Sequence, residues 1–422
     1  MILTYNSCRS NTSQFMREII LISFLGPDQP NQFTRLMQVL SVHSLQILDV
    51  GQAVIHNQLT LGIVVASDNE TATALAMKEI LILAHDIGLT VRFKPITGAE
   101  YDQWVSEGGR TRYIVTALAP ELTAAHLQAV TQIVSSQGFN IETVTRLSGR
   151  VDFEKDSAFP RRACVQFGLS SGPTLDAQAM RAACLLLSSE LNIDVAVQED
   201  NAYRRNRRLV CFDMDSTLIE QEVIDELAIE AGVGAQVAEI TERAMQGELD
   251  FQQSFRARVA LLKGLDAAVL PKIAERLTIT EGAERLISTL KALGYKTAIL
   301  SGGFQYFAEY LQGKLGIDEV HANILDVQDG FVTGEVKGAI VDGARKAELL
   351  RELANKMGIS LEQAMAVGDG ANDLPMLAIA GLGVAYRAKP LVRQNANQAI
   401  SSVGLDGVLY LLGMHDKDLN RA

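Results

Sequence analysis

The sequence predicts an α/β protein: two small ferredoxin-like α+β units followed by a Rossmann-like parallel sheet. Three observations predict it. A strand–helix–strand–strand–helix–strand rhythm spans residues 15 to 103 and recurs over 110 to 200. From Arg208 the rhythm changes to short apolar strands alternating with longer helices, the mark of a parallel sheet. Polar residues then gather just after three of those strands, where such sheets bind ligands.

The elements follow in order. "REIILISFLG" is apolar and β-branched, a strand. "PNQFTRLMQVLSVHS" places Phe33, Leu36, Met37 and Leu40 at helical spacing. "LQILDVGQAVIH" and "LTLGIVVAS" read as two strands turning at His56-Asn57-Gln58. "ETATALAMKEILILAHDIG" is a helix that Gly88 terminates, and "LTVRFKPI" is a last strand. In the second unit "TRYIVTALA", "FNIETVTRLSG", "RRACVQFGLSS" and "IDVAVQE" are strands, with helices at "LTAAHLQAVTQIVSSQG" and "LDAQAMRAACLLLSSELN". "SEGGRT" and the arginine-rich "EDNAYRRNRR" read as linkers. Beyond them "LVCFDMD", "KTAILSGG", "AMAVGDG" and "GLGVAY" are the sheet strands, and "HANILDVQDGFVTGEV" is a hairpin turning at Asp329-Gly330.

Composition bounds the function. Hydrophobic residues make up 48% of the 422-residue chain, ample for several cores. A net charge of −12 argues against general nucleic-acid binding, yet a locally cationic pocket for a small anion stays open. No apolar run reaches the roughly 18 to 20 residues of a membrane span, and no secretory signal opens the chain, so no membrane partner is expected. Cys8, Cys164, Cys184 and Cys211 are scattered without metal-ligand spacing, as expected of reduced thiols in a cytoplasmic protein. The six histidines have no partners at ligand spacing.

The chemistry lies at the strand ends. The first supplies Asp213, Asp215 and Thr217, the second Ser301, Gly302 and Gly303, and a later one Asp369, Asn372 and Asp373. Lys346 in "DGARKAELL" falls near a helix start. Carboxylates meeting at one edge need a cation, and hard oxygen ligands select Mg²⁺. A lysine, a serine hydroxyl and glycine N–H groups beside Mg²⁺ make a phosphate site. One carboxylate can attack phosphorus while a second serves as acid and base. The reading is Mg²⁺-assisted phosphoryl transfer.

These residues resemble the haloacid dehalogenase superfamily. Its DxDxT motif stands as Asp213 to Thr217, its strand-end serine as Ser301, its lysine as Lys346, and GDxxxD as Gly368 to Asp373. Within the superfamily, "FDMDSTLIEQEVIDELA", "LSGGF" and "VGDGANDLPML" resemble the phosphoserine phosphatases. That resemblance implies a catalytic domain over 208 to 415 with an inserted helical cap at about 223 to 283. It implies Asp213 as nucleophile and Asp215 as acid and base. The Asp213 side chain, the Asp215 carbonyl and Asp369 would hold Mg²⁺. Asp373 is placed in the metal's second shell, with direct ligation and helix capping left open. Glu222 would take the substrate ammonium and Arg258 its carboxylate, with Met245 and Phe251 around the serine portion. Ser301, the Gly302 N–H, Lys346 and Asn372 would hold phosphate. Read singly, Glu222, Arg258 and Lys346 are ordinary solvated residues, Met245 and Phe251 ordinary core, and Ser301 a helix cap. Their falling together where the family needs them decides otherwise.

The two N-terminal units resemble ACT domains in "LGPDQPNQF", "LQILDVGQ" and "GFNIETVTRLSG". The resemblance implies an amino-acid effector and a homodimer. Where the family often has a glycine after the first strand, this chain has Asn31, and the second unit reads "LAPELTAAH". The expected activity is hydrolysis of O-phospho-L-serine to serine and phosphate, the last step of serine biosynthesis. Two alternatives stand beside it: a phosphatase for another small phosphomonoester, and an amino-acid-sensing regulatory protein.

Overall fold

The computed structural model describes residues 17–107, 111–150, 162–170 and 176–419. The chain divides into two compact units, with the boundary between residues 109 and 110.

In the first unit, β1 (Glu18–Pro27), β2 (Gln46–Ile55), β3 (Gln58–Ser67) and β4 (Thr90–Ile96) form an antiparallel sheet of order β2-β3-β1-β4. Helices α1 (Gln32–Val42) and α2 (Glu70–Asp86) bury Leu36, Leu40, Ala76, Ile80 and Ala84 against Ile22, Phe24, Leu61 and Ile63. The β2–β3 hairpin turns at His56 and Asn57, whose φ values of 46° and 63° suit a tight turn between twisted strands. Asn31 has φ 72° before α1, a left-handed conformation that asparagine tolerates better than other side chains do. Helix α3 (Gly98–Glu107) was not expected. Its signal was present: Thr97 and Glu100 make reciprocal side-chain-to-backbone bonds of 2.8 and 3.2 Å, a capping box. The expected "SEGGRT" linker begins inside α3, and its residues 108–110 lie outside the described residues.

In the second unit, β5 (Arg112–Ala119), α4 (Ala124–Ser136), β6 (Asn140–Arg146), β7 (Ala163–Ser170), α5 (Ala177–Leu191) and β8 (Asp194–Glu199) repeat the connectivity, with sheet order β6-β7-β5-β8. The large sheet follows: β9 (Leu209–Phe212), β10 (Lys296–Phe304), β11 (Glu319–Gln328), β12 (Phe331–Lys337), β13 (Ala364–Gly368), β14 (Leu382–Tyr386) and β15 (Gln398–Ile400). Its order is β12-β11-β10-β9-β13-β14-β15, parallel except for the β11–β12 hairpin. Four helices fill the segment between β9 and the start of the next α/β unit: α6 (Val223–Glu230), α7 (Gly234–Met245), α8 (Phe251–Ala260) and α9 (Val269–Arg276). Helices α10 (Ala283–Ala292), α11 (Gln305–Leu315), α12 (Gly343–Lys356) and α13 (Leu374–Ile379) connect the strands. The edge strand β15, only three residues long, is too short to show a period.

The second four-stranded sheet is fused to the large one. The Gln398 side-chain amide accepts from the Val197 N–H at 2.9 Å and donates to the Val197 carbonyl at 2.6 Å. Asp194 accepts from the Ser401 and Ser402 N–H groups and the Ser402 hydroxyl, at 2.9, 2.8 and 2.6 Å. Leu118, Leu147, Cys164 and Ala196 belong to the same apolar core as Val210 and Phe212. The buried Asp406 carboxylate is held between Arg162 and Arg285. The "EDNAYRRNRR" segment is correspondingly a joint rather than a loose linker. Ala202–Arg205 is a 3₁₀ turn, and Arg204 and Arg207 are buried. Burial on this joint turns a charged linker composition into structure, because backbone carbonyls of Arg204 and Gly381 accept from Arg207.

Candidate active site

Strand β9 is wholly buried, so the chain leaves the core at Asp213 in one direction. The Asp213 N–H extends the ladder by donating to Val367 on β13 at 2.9 Å, which ties two motif-bearing strands together. The Asp213 carboxylate accepts from the Met214 N–H at 2.7 Å and from Lys346 Nζ at 2.9 Å. Lys346 is fully buried one turn into α12, whose first turn Asp342 caps by accepting from the Arg345 N–H. The same ammonium donates to Asp373 at 2.6 Å, and the other Asp373 oxygen accepts from the Gly370 N–H at 2.9 Å. A β-carbon at Gly368 would collide with the Asp373 carboxyl, which explains the small residue before Asp369. Thr217 donates its hydroxyl to Asp369 at 3.0 Å.

Ligand oxygens of Asp213, Asp369 and Asp373 all lie within 4.8 Å of one another. One ammonium is shared by Asp213 and Asp373, with Asp369 beside them. Burial, followed by the charges of Asp213 and Asp373, pushes Asp369 up to about 8. Burial and the Asp213 charge push Asp373 up to about 7. Burial disfavours the Lys346 ammonium, but Asp213 and Asp373 outweigh it and its pKa is raised. Crowded, oxygen-only donors of this kind fit a hard divalent cation.

Asp215 stands beside this cluster. Burial first, then Glu222 and Asp213, raise its pKa well above the usual carboxylate range. Its Oδ1 has no hydrogen-bond partner among the described residues. A β-carbon at Gly303 would stand 2.6 Å from Asp215 Oδ2, so a larger residue there would displace that carboxyl. Glu222 occupies the N-cap position of α6 but does not cap; it accepts from the Ser216 hydroxyl at 2.8 Å. Burial raises its pKa, with the Ser216 bond and Arg258 working against the shift. Arg258, on α8, has no ion pair among the described residues; burial lowers its pKa, opposed by Glu222, Asp225 and Asp215.

The first turn of α8 lies on the strand-end residues. A β-carbon at Gly302 would stand 2.9 Å from the Phe251 ring. Phe251 stacks on Phe255, which packs against Phe304 at the end of β10. Gln252 donates to Asp342 Oδ2 at 2.6 Å, joining α8 to α12. Met245 ends α7, and its side chain lies outside the described residues. Asn372 sits half-buried in the 3₁₀ turn Ala371–Asp373, with its amide oxygen against Gly370. Ser301 is fully buried, and its Oγ accepts from the Gly303 N–H at 2.9 Å.

The haloacid dehalogenase-like hydrolase family matches residues 207–381, and the ACT domain family matches residues 18–94. A phosphoserine phosphatase of Streptomyces coelicolor is 39% identical over 96% of this chain and 94% of its own length. The chain belongs to the phosphoserine phosphatase family. A Mycobacterium tuberculosis phosphoserine phosphatase is 38% identical over 96% of this chain and 95% of its own length. Among solved structures, a probable phosphoserine phosphatase from Vibrio cholerae in its unliganded form is similar at 36% identity, with a TM-score of 0.57. That likeness covers 75% of this chain and 90% of the other.

Sequence reasoning missed two parts of this phosphatase site. One is the Gln252–Asp342 bond, which joins residues 90 apart in sequence. The other is Asn323 on β11, buried at 2% exposure. Its Nδ2 donates to the Gly302 carbonyl at 2.8 Å and its Oδ1 accepts from the Val341 N–H at 2.8 Å. A polar residue among apolar strand neighbours in "HANILDV" was the available signal.

Proposed function

We propose that this chain hydrolyses O-phospho-L-serine to L-serine and phosphate. One observation carries the reading. The Asp213–Lys346–Asp373 cluster, which suits a phosphoryl group, stands beside an acid and an unpaired guanidinium, Glu222 and Arg258, which suit an amino acid's ammonium and carboxylate. A sugar phosphate offers neither an ammonium to Glu222 nor a carboxylate to Arg258.

Asp213 Oδ attacks phosphorus as the bond to the serine oxygen breaks, giving an aspartyl-phosphate. Asp215 delivers its proton to the departing serine oxygen. Asp215, now a carboxylate, takes a proton from water, whose oxygen attacks phosphorus. The bond to Asp213 breaks and phosphate leaves. Lys346, the Ser301 hydroxyl, the Gly302 N–H and the Asn372 side chain offset charge on the transferred group. Phe251 and Met245 close around the serine portion, and the four-helix cap excludes bulk water. The Asp213 side chain, the Asp215 carbonyl and Asp369 would hold Mg²⁺, with Asp373 behind them binding Lys346. Mg²⁺ when bound supplies charge neutralisation at the phosphoryl oxygens.

The same reading divides the chain at 15–103, 110–200 and 208–415, with a cap at about 223–283. The repeated sheet order supports a second ACT-like domain. An amino-acid effector at these domains, a homodimer and a cytoplasmic setting belong to the proposal. Among the described residues no helix is long and apolar enough to cross a membrane.

The test is phosphate release from phosphoserine, glucose 6-phosphate and glycerol phosphate, with Mg²⁺ or with a chelator. Phosphoserine is expected to exceed the others by at least about a hundredfold, and chelation to stop release. Comparable rates on the sugar phosphate would sink the amino-acid reading.

A further inference from the structure

Ser301 is taken to bind the phosphoryl group, and something must aim its hydroxyl. Ser301 Oγ already accepts from the Gly303 N–H at 2.9 Å. An oxygen occupied on that side has its proton left to give. The peptide that supplies this N–H is the one joining Gly302 to Gly303. Its carbonyl, on Gly302, accepts from Asn323 Nδ2 at 2.8 Å. Asn323, Gly302–Gly303 and Ser301 therefore form one hydrogen-bonded chain, each link polarising the next.

Glycines on both sides leave this peptide free to rotate. A β-carbon at either position would press on Phe251 or Asp215. The β10–β11 ladder is also interrupted here, with a register shift between Leu300 and Phe304. Strand pairing therefore does not fix the peptide. The side chain of Asn323 does, and its Oδ1 is itself held by the Val341 N–H, one residue before the Asp342 that caps α12. One buried amide thus links the Ser301 turn to the segment that carries Lys346.

We propose that Asn323 is a positioning residue for phosphoryl transfer, fixing the Gly302–Gly303 peptide so that the Ser301 hydroxyl is aimed at the transferred group. The inference rests on the phosphatase reading. It predicts that Asn323→Leu lowers kcat about 30-fold, with KM for phosphoserine changed less than about 3-fold.

The decisive measurement is a double-mutant cycle with Ser301→Ala, itself expected to cost about a hundredfold in kcat. If Asn323 works through Ser301, the double variant falls no more than about 3-fold below Ser301→Ala alone. If Asn323 only supports the fold, the two losses multiply to about 3,000-fold, and the proposal is wrong. An unchanged kcat in folded Asn323→Leu, or a loss confined to KM, overturns it equally. Should Asn323→Leu not fold, Asn323→Asp carries the same cycle. It keeps the shape and the acceptor for Val341 while facing the Gly302 carbonyl with an oxygen. Wild-type enzyme is first assayed on phosphoserine. If it acts instead on p-nitrophenyl phosphate alone, the substrate reading fails, and the cycle is run on that ester to judge Asn323 separately.

Discussion

The two ferredoxin-like units share one connectivity and part company at their fourth strand. In the first unit β4 reads "TVRFKPI" and alternates between exposed and half-buried positions from Thr90 to Lys94. In the second, its counterpart β8 reads "DVAVQE" and is buried at every position but the last. One strand meets water along one face; the other is covered on both. The first unit closes its core with its own residues, whereas the second also contributes Leu118, Leu147, Cys164 and Ala196 to the core of the large sheet. The same fold thus serves once as a separate body and once as part of the catalytic one. The difference shows in the burial of a single strand.

That comparison can be broken in four places. The largest effect expected is on chemistry. Asp213→Asn should cut turnover by at least about a thousandfold, in the full chain and in residues 110–422 alike, measured as phosphate release. Activity absent from wild-type 110–422 would show that the first unit is needed after all. Next comes the joint. Asp406→Ala leaves Arg162 without its buried partner, while Arg285 keeps Asp416, and should cost about 3–5 kcal/mol in the urea transition of the catalytic unit. The first unit's own transition should not move. The reverse experiment is Gln32→Ala. Buried Gln32 bonds Gln29, Pro27 and Ile87, and its loss should cost about 1–3 kcal/mol in the first unit only. A single merged transition in both variants would erase the distinction. Smallest is Asn31→Gly at φ 72°, expected to shift stability by only about 0.5 kcal/mol by thermal melting.

What was legible in the sequence was local. Asp213, Asp215 and Thr217 sit within five consecutive positions, and Asp369 to Asp373 within another five, so the strand and its catalytic end are read together. The strand periods gave both small sheets and most of the large one. Long-range partners were not legible. Nothing near Asn323 in sequence names Gly302 as its acceptor, and nothing near Gln252 names Asp342. The joint failed for a related reason. Arg204 and Arg207 are charged residues in a polar run, and only the packing of distant segments buries them. Helix α3 was a different kind of miss, since Thr97 and Glu100 announced it locally.

The Gln398 amide has a consequence for how the protein behaves in a crowded solution. β8 and β15 each end a sheet, and a sheet's last strand offers unpaired N–H and C=O groups to any passing chain. Here the amide of Gln398 takes up both groups of Val197 as a neighbouring strand would. Two adhesive borders are turned against each other, joined by this amide and by Asp194 on Ser401 and Ser402. Cutting that amide back in Gln398→Ala would free the Val197 N–H and C=O on the β8 border, and stickiness between molecules, rather than loss of catalysis, would be its first symptom.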